Sequence, residues 1–216
     1  MDVGKTMNTQ DYILKKFQLN YHSRKKMPLE IPNFGRDQLP TLFNELNFKV
    51  GAEIGVEKGT YSKTICEAIP GVQLYCIDAW TTYDGYDVFR SPMDTNYIIT
   101  KERLKDYNCI IIRKFSVDAS KDFEDGSLDF VYIDAAHDFQ SVTNDIAEWS
   151  KKVRVDGIVA GHDYTTPRKP NIMHVEYVVN AYTAANSISP WFVLGHKEKI
   201  EGEIRDHERS WMWAKT

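Results

Sequence analysis

Two glutamates stand in a glycine turn within the segment Val50 to Ile65, VGAEIGVEKGTYSKTI: Glu53 near the end of an apolar tract, and Glu57 between Gly55 and Gly59. In a turn that grips a pyrophosphate, the middle glycine lets the backbone approach the phosphates at a helix N-terminus. Here Glu57 occupies that middle position and Glu53 adds a second carboxylate, so a pyrophosphate would meet negative charge and a side chain together. A ligand without phosphates, carrying positive charge, suits this turn better. Further along, Asp134 and His137 lie in YIDAAH, and His162 and Asp163 in GHDY. Such acids and imidazoles can move a proton near neutral pH or hold a divalent cation.

These residues need a scaffold that brings them together. From Lys49 onward, apolar strand-like runs alternate with segments of helical period, the pattern of an α/β fold with a largely parallel sheet. The expected strands are Val50 to Ile54, Gln73 to Asp78, Cys109 to Arg113, Leu128 to Asp134 and Gly157 to Gly161. Helices are expected over Thr60 to Ile69, Thr95 to Asp106, Phe139 to Lys151 and Ile172 to Ala185. In the third, Phe139, Val142, Ile146, Trp149 and Val153 recur at spacings of three and four and form one apolar stripe. Asp138 is placed to cap it, with Ser141 nearby. After Pro190, WFVLG and SWMWA read as an antiparallel pair closing one edge, which makes about seven strands. Trp211 and Trp213 on that edge could pair between subunits as a homodimer. Before Lys49, DYILKKFQL and RDQLPTLFNEL read as two short helices, with Pro40 in the first turn of the second. Residues 1–48 are thus expected to be a helical extension or cap, and 49–216 the main domain.

Parallel strands deliver their C-terminal ends to one edge, where open sheets bind ligands. Asp134, His137, His162 and Asp163 can therefore converge there. A chain of 216 residues, 42% hydrophobic and 27% charged, suits one globular domain. No run approaches the roughly 18 apolar residues of a membrane span, and the start does not resemble a signal peptide, so a cytoplasmic protein is expected. Cys66, Cys76 and Cys109 lack metal-ligand spacing and read as buried thiols. The net charge of -4 argues against capture of long nucleic acids, and the run Arg24, Lys25, Lys26 reads as solvated surface. VGKT at Val3 to Thr6 ends like a phosphate loop but has no upstream glycine or strand.

EIGVEKG resembles the first motif of the class I S-adenosylmethionine (SAM)-dependent methyltransferases. The later segments resemble the small members of that class that methylate hydroxyl groups. SAM carries an ammonium and a sulfonium and no phosphate, which agrees with Glu53 and Glu57. The resemblance implies a Rossmann-like three-layer sandwich, covering Lys49 to about Ala185 well. It implies a donor site of Glu53, Gly55, Val56, Gly59, Asp78, Ala79 and Trp80, with Asp78 accepting from the ribose hydroxyls. Phe115, Ser116 and Val117 would border the adenine, and Asp134 would stand beside the methyl group.

Methyl transfer to oxygen needs a deprotonated hydroxyl in line with the sulfonium. His137 is the expected base, with Asp134 beside it in the catalytic set. Asp134 and Asp163, with His162, would hold magnesium or manganese if a metal takes part. Metal-dependent relatives have two acids, or an acid and an amide, at the last two positions, and His162 departs from that pattern. The segment AWTTYDGYDVFRSPMD, with Trp80, Tyr83, Tyr86 and Phe89, is expected to lid the site or shape the acceptor pocket. Its mixed aromatic and polar residues suit a sugar or a phenol. Arg168 and Lys169 lie in a second loop, as anion contacts or an exposed basic tip. Two other readings stay open: a nicotinamide-dependent oxidoreductase, and a non-catalytic binding protein with a SAM-type fold.

Overall fold

A computed structural model describes residues 7–81, 92–166 and 173–216. In chain order it contains α1 (Thr9–Lys16), β1 (Leu29–Ile31), a 3-10 turn (Arg36–Gln38) running into α2 (Leu39–Glu45), β2 (Val50–Ile54), α3 (Thr60–Ala68), β3 (Gln73–Asp78) and α4 (Met93–Leu104). Then follow β4 (Cys109–Arg113), α5 (Ser116–Ser120), β5 (Leu128–Ile133), α6 (Phe139–Lys152), β6 (Val153–Tyr164), α7 (Val175–Ala185), β7 (Phe192–Leu194) and β8 (Arg209–Ala214).

The eight strands form one sheet in the order β1-β7-β8-β6-β5-β2-β3-β4. Strands β2, β3, β4, β5 and β6 are mutually parallel, while β8 runs antiparallel to both β6 and β7. Chain order runs outward from β2 toward β4 on one side and from β5 toward β6 on the other. The switch therefore falls between β2 and β5, where the open end of a doubly wound sheet makes a crevice. Ile54 pairs with both Ile77 and Ile133, so three strand ends meet at that crevice.

Side chains alternate across the sheet and build a core on each face. Phe130 and Tyr132 of β5 pack with Leu42 and Phe43 of α2 and Ile65 of α3; Val131 and Ile133 pack with Ile146 and Trp149 of α6 and Val178 of α7. Gly51 is required on the first face, since a Cβ there would lie 2.1 Å from the Phe130 ring. In α6, Val142, Ile146 and Trp149 are buried, and the Asp138 carboxylate accepts from the Gln140 and Ser141 amides as its cap. Phe139 is 54% exposed, so the stripe begins one turn later than its spacing suggests.

Three expectations are corrected. The outermost strand on the C-terminal side is β1, paired parallel to β7, and the C-terminal pair does not close the sheet. Leu29–Ile31 is too short to announce itself by alternation, and it lies in the segment expected to be only helical. Trp211 and Trp213 consequently sit on an interior strand, buried, stacked 5.1 Å apart, and do not offer an edge to a second copy. The fifth expected strand is also longer, running from Val153 to Tyr164 with a register shift against β5. Pro40 does occupy the first turn of α2, and Arg24, Lys25 and Lys26 are exposed. The three cysteines are free thiols, with the sulfurs of Cys66 and Cys109 3.4 Å apart. No helix among the described residues is long and apolar enough to cross a membrane.

Candidate active site

The crevice at the switch point opens into a cavity of about 650 Å³, within the range of small-molecule sites. On one side the walls are the glycine turn and the end of β3. Gly55 has φ +88°, and a Cβ on it would lie 2.0 Å from the Asp134 carbonyl oxygen, so only glycine fits where β2 passes β5. Gly59, at φ +71°, is the left-handed residue that starts α3. Asp78 ties the turn down: its Oδ2 accepts from the amides of Val56 at 3.0 Å and Glu57 at 2.9 Å, and its Oδ1 from the Trp80 amide at 2.8 Å. A carboxylate has further lone pairs, so Asp78 can still accept from a ligand hydroxyl.

Trp80 is buried and donates from its indole Nε1 to the Glu57 carbonyl at 2.7 Å, bracing the turn from beneath. Glu57 does not direct its charge inward as expected. Its side chain is 61% exposed and pairs with Lys58 at 3.1 Å. Glu53 is the acid at the cavity floor, wholly buried and accepting from the Ser62 hydroxyl. Burial lifts its carboxyl to about 8, against the opposing pull of Ser62 and Arg36. Burial thus favours the protonated form of this carboxyl, and a nearby positive charge favours the ionised one.

Phe115, Ser116 and Val117, expected to border an adenine, line the same cavity, as does Ala79. Behind them is Asp145, which the sequence reading missed. It accepts from the Ser116 hydroxyl, which in turn accepts from the Trp149 indole at 2.8 Å. Burial raises the Asp145 carboxyl to about 6, partly offset by Ser116. Its signal was legible: it sits three residues after Val142 and four before Trp149, an acid on the buried stripe of α6.

The other side of the cavity is built from charges. His137 Nε2 lies 2.8 Å from Asp163 Oδ2. Burial disfavours the imidazolium, but the bond to Asp163 together with the charges of Asp163, Asp134 and Asp138 outweighs it, and the His137 pKa is raised. Asp163 is held far below the usual carboxylate range; burial works against this, and hydrogen bonds to His137 and His162 overcome it. His162 Nδ1 stands 3.4 Å from Asp163 Oδ1 and 3.8 Å from Asp134 Oδ1, facing these acids. Asp163 has φ +60°, an uncommon backbone for an acid, which turns its carboxylate toward both histidines. The His137 carbonyl accepts from the His174 amide at 2.8 Å, and the Phe139 amide donates to His174 Nδ1 at 3.1 Å.

Arg36 is the second residue the sequence reading missed. Its Nη2 lies 2.8 Å from Asp134 Oδ2, and its guanidinium packs over the rings of Tyr61 at 4.1 Å and Tyr132 at 5.2 Å. The Asp206 carboxylate accepts from its backbone amide at 2.6 Å, and its carbonyl accepts from the Tyr61 hydroxyl at 3.0 Å. In the sequence Arg36 merely opens a short helical segment. Nothing there places it 98 residues away against Asp134.

Asp134, His162 and Asp163 bring one donor atom each within 4.8 Å of one another. Two carboxylates and an imidazole are a donor set that suits a divalent cation. The arrangement does not suit one, because Asp134 already meets the Arg36 guanidinium and Asp163 already meets His137. Tyr83, Tyr86, Phe89, Arg168, Lys169 and Val3 to Thr6 lie outside the described residues.

A doubly wound sheet, a glycine turn at its switch point and an acid ending the next strand define a Rossmann-like protein that binds a nucleoside. The chain belongs to the methyltransferase-domain family, whose model matches residues 52–164, more than half of the 216-residue chain. It is a class I SAM-dependent methyltransferase, which sets aside the oxidoreductase alternative. No curated protein sequence matches the chain. An O-methyltransferase from Bacillus cereus in complex with SAH superposes with a TM-score of 0.60 at 14% identity, covering 99% of this chain and 94% of its own. The O-methyltransferase TomG from Streptomyces achromogenes, involved in tomaymycin synthesis and solved with SAM, has a TM-score of 0.57 at 15% identity, covering 84% and 80%. The precorrin-6y C5,15-methyltransferase from Geobacter metallireducens has 0.54 at 13% identity, covering 82% and 86%. Such distant likenesses carry the fold, and their acceptors differ.

Proposed function

We propose that this methyltransferase transfers the methyl group of SAM to a hydroxyl oxygen of a small molecule, with His137 as the base. The observation that carries this reading is the His137 to Asp163 pair, 2.8 Å long, beside the cavity that Glu53 and Asp78 line. Asp163 orients the imidazole and stabilises the imidazolium that forms when it accepts a proton. The hydroxyl gives its proton to His137, and the oxygen lone pair attacks the methyl carbon. The carbon–sulfur bond breaks, its electrons pass to sulfur, and the sulfonium becomes the neutral thioether of S-adenosylhomocysteine (SAH).

In this reading Glu53 balances the donor's ammonium at the cavity floor, and Asp78 accepts from the ribose. Gly55, Val56 and Gly59 let the donor approach the backbone, Ala79 and Trp80 wall the ribose side, and Phe115 to Val117 border the adenine. Asp134, opposite Gly55, fixes the Arg36 side of the cavity near the transferred methyl. Residues 1–48 act as the cap of that site. The acceptor is of sugar or phenolic type.

The test is calorimetric titration with SAH, followed by methyl transfer to a panel of sugars and phenols with wild type and His137→Ala. SAH binding in both, with turnover lost only in the variant, is expected. Equal turnover in the two proteins would remove His137 as the base. SAH binding without any methylated hydroxyl would favour an acceptor atom other than oxygen.

A further inference from the structure

Asp134 meets a cation supplied by the chain itself, and that cation comes from the N-terminal segment. We propose that Arg36 is the resident cation of this active site, standing in the place a divalent ion would need against Asp134. The inference rests on the site proposed above and deepens it.

Four observations converge on this residue. The Arg36 guanidinium meets Asp134 Oδ2 at 2.8 Å, with the two side chains only 22% and 17% exposed. It packs over Tyr61 and Tyr132, whose rings favour a cation on their faces. Its backbone is pinned on both sides, by Asp206 at the amide and Tyr61 at the carbonyl. Its Nε is fully buried and makes no hydrogen bond among the described residues, and the ion pair to Asp134 is the contact its guanidinium makes with an acid. A guanidinium keeps its proton in proteins, so this positive charge is permanent.

A divalent ion at Asp134, His162 and Asp163 would face that fixed charge at close range. It would also have to displace Arg36 from Asp134, parting a buried guanidinium from its ion-pair partner. Arg36 lines the cavity with Asp134 and His137, so its charge also acts on an acceptor oxygen as that oxygen loses its proton. The segment before Lys49 therefore contributes a charged group to the reaction and does more than cover it.

The experiment uses the full chain and free manganese as the probe. Mn2+ binding is read by electron paramagnetic resonance for wild type, Arg36→Met and Arg36→Lys, and SAH binding is measured on the same samples. Expected is no stoichiometric Mn2+ site in wild type, and one Mn2+ per chain in Arg36→Met, at least about tenfold tighter than in wild type. Arg36→Lys, which keeps a positive charge, should exclude Mn2+ as wild type does. Tight Mn2+ binding by wild type would overturn the proposal, and this measurement stands even if a variant fails to fold. So would an Arg36→Met chain that binds SAH but no Mn2+. Loss of SAH binding in wild type would instead strike the proposed donor site, a failure distinct from either manganese result.

Discussion

The two walls of the cavity are built from different materials. Around Gly55 the wall is backbone: a turn with left-handed glycines, its amides gathered by the single carboxylate of Asp78 and its underside braced by Trp80. Around Asp134 the wall is side-chain charge, from Arg36, Asp134 and His137, with His162 and Asp163 paired to them and Asp206 pinning the Arg36 backbone. The backbone wall comes from contiguous chain, β2 through α3, plus the adjoining end of β3. The charged wall comes from segments far apart in sequence. A backbone wall tolerates little change in shape, whereas a wall of paired charges can change its chemistry by one substitution without changing its outline. That difference suits the proposed division of the cavity into a donor side that must fit one nucleoside and an acceptor side that can vary.

The largest expected effect falls on the charged wall. His137→Ala should lower turnover by about 100-fold to 10,000-fold while leaving SAH affinity within a few-fold, read by steady-state kinetics and calorimetry. If SAH affinity fell in parallel, the two walls would not be separable in function.

Next is the backbone wall. Gly55→Ala puts a Cβ 2.0 Å from the Asp134 carbonyl on a left-handed backbone, and should cost about 3 kcal/mol or more of stability in urea unfolding. A near-neutral midpoint would mean that β2 and β5 can separate at no cost. Asp78→Ala is expected to be milder. Loss of the hydrogen bonds that three amides donate to this carboxylate should weaken SAH binding by about tenfold or more, with the chain still folded.

A further effect is a pH dependence at the floor between the walls. Burial raises the Glu53 carboxyl from 4.5 to about 8, so the folded chain keeps a proton that the unfolded chain releases across that window. More protons bound in the folded state means that stability falls as pH rises through the window. Glu53→Gln has no such proton. Its Tm should therefore gain on wild type between about pH 5 and about pH 8 in ligand-free protein. A constant difference would show that Glu53 is already ionised at the lower pH, and that Ser62 and Arg36 outweigh burial.

Much of the backbone wall was legible in the sequence. β2, β3 and β4 run over the expected residues, and the glycine turn with Gly55 and Gly59 lies where expected, whereas the ties from Asp78 to its amides were not foreseen. These features depend on neighbours in the chain: glycine tolerates positive φ, and alternation marks a strand. Glu57 shows the limit even there. Its position in the turn was right, yet a left-handed backbone at φ +52° and a nearby Lys58 turn its charge to solvent.

Asp134, His137, His162 and Asp163 could be grouped from sequence because parallel strands end at one edge. Which of them pair could not, since that depends on differences of an ångström or two between side chains on separate strands. Arg36, Asp206 and the short β1 were beyond reach for a related reason. Their partners, Asp134 for Arg36, the Arg36 amide for Asp206 and Phe192 to Leu194 for β1, lie about a hundred residues or more away along the chain. Local pattern determined the sheet, the donor turn and the class of chemistry. Tertiary structure alone decided which cation neutralises the buried acids, because that is settled by which charges become neighbours once water has been excluded.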